Sequence, residues 1–214
     1  MAFKSPTKTK EVVKIPNWVE CDLRITLSKE NDKQALKQLK EFRKFAQTGK
    51  GDDSNCLDTE QFIPYPKKFK KLDEQRHKLK QAYKAKQDAA GYDKMTEKEK
   101  DKWREDNPDT SWDFKDGFNS GGYEWCNNNW GTKWGICHAE LRDENFEYGE
   151  LEYGFESAWG PPLPVILAMS KKFRLLNFEL RYFECGAGFN GWYECANGKV
   201  IHNEEGNYYG DRGG

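Results

Sequence analysis

From Val19 to Ser28 the chain switches between apolar and polar residues at every step. Val19, Cys21, Leu23, Ile25 and Leu27 fall in one phase, and Glu20, Asp22, Arg24 and Thr26 in the other. That period of two predicts a strand with one buried face. Ser28 stands where a helix N-cap would stand. Ala35, Leu36, Leu39, Phe42 and Phe45 then recur at three- and four-residue spacing, predicting an amphipathic helix to about Gln47. Gly49 to Asn55 is a loop by composition.

The alternation returns at Trp134, Ile136 and His138, set against Gly135, Cys137, Ala139 and Leu141. Acidic turn residues near Asp143–Glu147 separate this strand from one carrying Leu151, Tyr153, Phe155 and Ser157 opposite Glu152, Gly154 and Glu156. Pro161, Pro162 and Pro164 lack N–H donors and suit the entry of a helix, whose stripe is Val165, Ile166, Met169 and Phe173. Phe178, Leu180 and Tyr182 predict a long strand, GAGFNG a turn, and Asn197-Gly198 a hairpin. The order strand, helix, strand, strand, helix, strand, with a terminal hairpin, is that of the split strand–helix–strand arrangement. An α+β, ferredoxin-like antiparallel sheet with two helices on one face is therefore expected.

Residues 67–110 break the pattern and read as a charged helical insertion. Lys67–Lys86 holds nine Lys/Arg against two acids around a thin stripe of Phe69, Leu72, Leu79 and Tyr83. Gly91 interrupts it, and Thr96 followed by Glu99 predicts a capping box for a short helix carrying Trp103. Residues 1–14 read as a loose basic arm, 15–202 as one domain around the insertion, and 203–214 as a polar, Gly-rich tail.

Composition sharpens this picture. Hydrophobic residues make up 36% of the 214 and mean hydropathy is -1.04, while aromatics reach 14%. Since each buried ring removes roughly 150–250 Å² from water, the core should lean on Trp, Tyr and Phe. The net charge of -1 conceals an asymmetry: residues 1–87 sum to +9 and the rest to -10, which suggests a charged partner or one half lying on the other. No run is apolar enough for a membrane span, and no apolar stretch of the signal-peptide kind follows Met1. A soluble protein of a bacterial cytoplasm is expected, without membrane contact. The six cysteines include no CxxC, and Cys137-His138 is the one close pair of soft ligands. No metal, cofactor or disulfide framework is expected.

Several blocks together resemble a known family. PNWVECDLRITL (Pro16–Leu27), FIPYP (Phe62–Pro66), WCNNNWGTKW (Trp125–Trp134), FESAWGPPLPV (Phe155–Val165) and ELRYFECGAGFNGWYE (Glu179–Glu194) are similar to the YubB-type ferredoxin-like domain family of unknown function found in bacteriophages and conjugative plasmids. The resemblance covers roughly residues 15–50 and 115–200. It implies a fold and a mobile-element origin, and it brings no catalytic residues with it.

The candidate chemistry is of three kinds. Asn127, Asn129, Trp130, Lys133, Trp134 and Trp159 could line a site, between Asn127–Trp134 and Trp159–Pro162, for a planar ligand. If flat, the same residues would form a protein-docking patch; the plainer alternative is that these rings replace a missing aliphatic core. Lys68, Lys71, Arg76 and Lys78 could meet phosphates. The sheet's open face, carrying Glu152, Glu156, Glu179 and Arg181, is a poor platform for stacking bases. His138 should be a satisfied core histidine, and no nucleophile–His–acid grouping or phosphate-binding loop stands out. The leading expectation is a non-enzymatic protein that engages a host protein, in counter-defence or host takeover. A binding module for a small nucleotide or nucleic acid comes next, and an enzyme third. Oligomeric state is not legible.

Overall fold

The computed structural model describes residues 17–49 and 55–210. The arm expected at 1–14, most of the loop expected at 49–55 and the last residues of the tail lie outside these.

Strand β1 (Trp18–Leu27) keeps its alternation, with Val19, Cys21, Leu23 and Ile25 buried and Glu20 and Arg24 exposed. The predicted N-cap moves. Ser28 donates its N–H to Leu175 O, which keeps it beside the chain leading into a later strand. Asp32 caps helix α1 (Lys33–Phe45) instead, its carboxylate accepting from the N–H groups of Gln34 and Ala35. Ala35, Leu39 and Phe42 of α1 lie fully buried against the sheet. The Phe42 ring touches those of Phe62, Tyr153, Phe173 and Phe178, so the expected aromatic core is built around it.

Strands β2 (Ile136–Asn145) and β3 (Glu150–Ala158), helix α5 (Leu163–Lys172) and strand β4 (Leu176–Glu184) complete the two split units. The sheet order is β2-β3-β1-β4, with every pairing antiparallel. That is the ferredoxin-like arrangement. Val165, Ile166 and Met169 bury α5 on the same side of the sheet as α1. Strands β5 (Phe189–Ala196) and β6 (Lys199–Asn207) extend the sheet as the predicted hairpin. Its turn is Asn197-Gly198, with φ values of 48° and 72°, the double left-handed geometry that favours this dipeptide. Strand β6 runs on past residue 202, so part of the expected tail belongs to the sheet.

Between α1 and β2 lies the insertion. Helices α2 (Lys67–Ala89) and α3 (Glu97–Asp106) follow the predicted breaks, including the Thr96–Glu99 capping box. A further helix, α4 (Gly122–Trp130), occupies residues where no helix was expected. Its buried residues, Gly122, Cys126 and Trp130, fall at four-residue spacing. The run Asn127–Asn129, with low intrinsic helix propensity, obscures that signal in the sequence.

The β2 alternation also departs from expectation. His138 has φ 50°, and the register with β3 shifts between Cys137 and Glu140. This bulge lets Ile136, Ala139 and Leu141 all pack toward the core and turns His138 outward. The expectation of a core histidine is therefore corrected: the His138 side chain is two-thirds exposed, with Nδ1 hydrogen-bonded to Glu156 Oε2.

Candidate functional site

The tryptophan cassette divides into two groups on leaving α4. Trp130 is buried, its Nε1–H donates to Ile63 O at 2.9 Å, and its ring meets those of Tyr65 and Trp125. It is an interior residue, not a ligand contact. Asn129 turns its amide back to Trp125 O on its own helix, and Asn127 is half-buried beside it. Gly131 ends α4 at φ 77°, where a side chain would meet Pro164 Cδ at 2.8 Å. The prolines entering α5 thus pack against the cassette at Gly131, while Trp130 and Asn129 of the expected site turn into the protein.

The second group reaches solvent. Lys133, Trp134 and Trp159 meet at the rim of the sheet, with Trp134 42% and Trp159 52% exposed. Lys133 Nζ lies 4.4 Å from the Trp134 ring centroid, 5.5 Å from that of Trp159 and 5.9 Å from that of Phe118. No carboxylate is within ion-pair distance of this ammonium among the described residues. Trp18, the first residue of β1, lies 5.9 Å from Trp134 and 5.2 Å from the His138 ring, centroid to centroid. Trp18 was missed as a rim residue. The signal was present, because it occupies the outward phase that Glu20, Asp22 and Arg24 continue.

Backbone hydrogen bonds fix this rim. Thr132 Oγ1 donates to Ala158 O at 2.7 Å, and the Trp159 N–H donates to Asn17 O at 2.9 Å. Trp159 itself has φ 76°, a left-handed conformation that is a true outlier for a bulky side chain.

The four phosphate-contact candidates on α2 also separate. Arg76 is largely withdrawn from solvent, its Nη1 paired with Asp116 and its guanidinium 5.7 Å from the Trp112 ring centroid. It anchors the helix, which corrects its reading as a phosphate contact. Lys68 lies 4.5 Å over the Phe69 ring, while Lys71 and Lys78 are exposed.

Two of the buried thiols are held in their neutral form. Burial pushes Cys126 and Cys195 up to about 11, far from the thiolate range of a nucleophile at neutral pH. Among the described residues no three His, Cys, Asp or Glu side chains gather as a metal site would require, and no helix is long and apolar enough to cross a membrane.

Fold and topology together define a ferredoxin-like α+β protein with a helical insertion. Residues 129–210 match the family model described as a ferredoxin-like domain in Api92-like protein, a span running from the end of α4 through β6. Among solved structures, a crystal structure of a protein api92 from Yersinia pseudotuberculosis aligns over 92% of this chain and 99% of its own. The sequence identity is 11% and the TM-score 0.42, so that likeness carries no argument here. No curated protein sequence matches the chain.

Proposed function

We propose that this chain is a non-enzymatic binding protein that engages another protein through the rim formed by Trp18, Lys133, Trp134 and Trp159. The observation that carries the reading is Trp159. A strained backbone of this type costs on the order of 1–3 kcal/mol, and what it achieves here is to hold an indole half in water beside a second exposed indole. Exposed tryptophans on a rigid scaffold are the residues that dominate protein–protein binding energy. The filled space at Gly131 favours a docked protein surface over an enclosed small nucleotide. The resemblance to a phage and plasmid family makes a protein of the bacterial host the natural partner, with counter-defence or host takeover as the setting.

The test compares proteins captured from a bacterial host lysate by the wild-type chain and by Trp134→Ala/Trp159→Ala. Recovery of at least one specific partner by the wild type is expected, with roughly tenfold less by the variant, as for loss of a hot spot. Thermal melting should fall only modestly, because both rings are about half exposed. Equal capture by the two proteins would sink the proposal.

A further inference from the structure

The ammonium at the rim is fixed in place, and its surroundings are apolar. Lys133 sits in the short loop between α4 and β2. Its N–H donates to Ala158 O at 3.4 Å, and the Thr132 hydroxyl donates to the same carbonyl at 2.7 Å. Two residues on, Gly135 has φ 74° and lies against Thr59, whose Oγ1 a side chain would meet at 2.6 Å. The Lys133 side chain is half-buried and ends among the rings of Phe118, Trp134 and Trp159. Ordering a long side chain costs rotamer entropy, and here the rings have ordered it before any partner arrives.

Other cations of the chain are held differently. Arg24, Arg43, Arg76, Arg142 and Arg181 each have a carboxylate as ion-pair partner. Lys133 has three π faces and, among the described residues, no carboxylate within ion-pair distance. Ring faces attract a cation but leave its charge in place. A carboxylate arriving between the two exposed indoles meets an ordered, poorly hydrated ammonium, and apolar groups beside that carboxylate cover the rings. A phosphate chain also offers anions, with bases to stack on the indoles. The rest of the rim disfavours it. His138, beyond Trp18, is already hydrogen-bonded to Glu156, and Glu20 faces Glu156 across β1 and β3. An ammonium bordered by these glutamates suits one anion, whereas nucleic-acid binding draws on several cations along the backbone.

We infer that the partner segment received by the rim carries a carboxylate flanked by apolar side chains, and that Lys133 selects it. The inference rests on the protein-binding reading above and supplies the partner's chemistry. Trp134 and Trp159 provide contact area, and Lys133 provides the charge that distinguishes an acidic segment from a neutral or basic one.

The experiment titrates the full chain into a fluorescein-labelled peptide of alternating aspartate and leucine, read by anisotropy. An asparagine–leucine peptide, a lysine–leucine peptide and a single-stranded DNA oligonucleotide serve as controls. Binding of the aspartate peptide alone is expected, weakening several-fold between low and physiological salt as screening grows. Lys133→Met keeps an unbranched stem against the rings and removes the charge, and it should raise the Kd roughly tenfold. Lys133→Arg should retain most of the binding, and melting curves check that both variants are folded.

No aspartate-peptide binding, equal binding of the asparagine peptide, equal binding by Lys133→Met, or equal binding of the DNA would overturn the inference. So would light scattering that shows a second copy of the chain occupying the rim. Failure here is distinguishable from failure of the docking reading itself. Partner capture that depends on Trp134 and Trp159 but is unchanged by Lys133→Met leaves that reading intact and removes the carboxylate. Capture that ignores both tryptophans, beside aspartate-peptide binding that needs Lys133, removes the docking reading and leaves an acidic-segment site at Lys133.

Discussion

The sheet domain and the insertion solve opposite problems with the same scarce supply of apolar residues. In the domain, α1 and α5 press buried stripes onto β1, β3 and β4, and aromatic rings meet around Phe42. In the insertion, α2 spans 23 residues and buries Phe69, while α3 buries none of its side chains. What holds the insertion together is local: the Arg76–Asp116 pair, Asp73 accepting the Phe118 N–H, and a small aromatic cluster of Tyr83, Tyr92 and Trp103. Burial scales with apolar area, so the two regions should differ in stability and in what destroys each.

The largest test of that difference is Phe42→Ala. Removing a fully buried ring at the centre of the aromatic contacts should cost about 3–5 kcal/mol. Urea denaturation followed by far-ultraviolet circular dichroism should show the whole domain losing stability. A loss confined to the insertion would mean that the core is not organised around this residue.

Asp116→Asn probes the other region. The variant leaves the largely buried Arg76 guanidinium without its carboxylate, which should cost roughly 1.5–3 kcal/mol. The loss should appear as faster amide exchange in α2, with little change in the sheet. The same pair predicts a pH effect. Burial alone would raise the Asp116 carboxyl, but hydrogen bonds from the Asn119 N–H, from Arg76 and from the Asn119 amide outweigh it and hold Asp116 below the ordinary carboxylate range. A depressed carboxyl contributes stability that is complete above its unfolded value, about 3.9. That stability is lost as pH falls through the lower folded value. Protection of α2 should therefore decay below about pH 4 in the wild type, and Asp116→Asn should lack that decay.

The same division governs what could be read from the chain. Strand and helix periodicity in the domain is strong because each element has one buried face, so β1, β3, α1, α5, β4 and the terminal hairpin were all legible. Features set by a single neighbouring group were not. Ser28 looks like a cap until Leu175 O takes its N–H, and His138 looks buried until the bulge shifts the phase of β2. Of the residues singled out for a candidate site, Lys133, Trp134 and Trp159 lie together at the rim. Trp130 shares their composition but not their place, because its burial is decided by Ile63 and Tyr65, far away in the chain. No local pattern near residue 130 encodes those partners.

The smallest expected effect lies at the far end of the insertion. Thr96 Oγ1 accepts the Glu99 N–H while the Glu99 carboxylate takes the Thr96 N–H, closing both sides of the α3 capping box. With no buried side chains of its own, α3 depends on this cap and on Trp103 packing against Tyr83 and Tyr92. Thr96→Ala should raise amide exchange in the first turn of α3 roughly fivefold, the usual scale for a lost N-cap. Exchange in β1, β3 and β4 should not move. Were the sheet to loosen as well, the insertion and the domain would form one cooperative unit, and the contrast between them would be one of composition and not of stability.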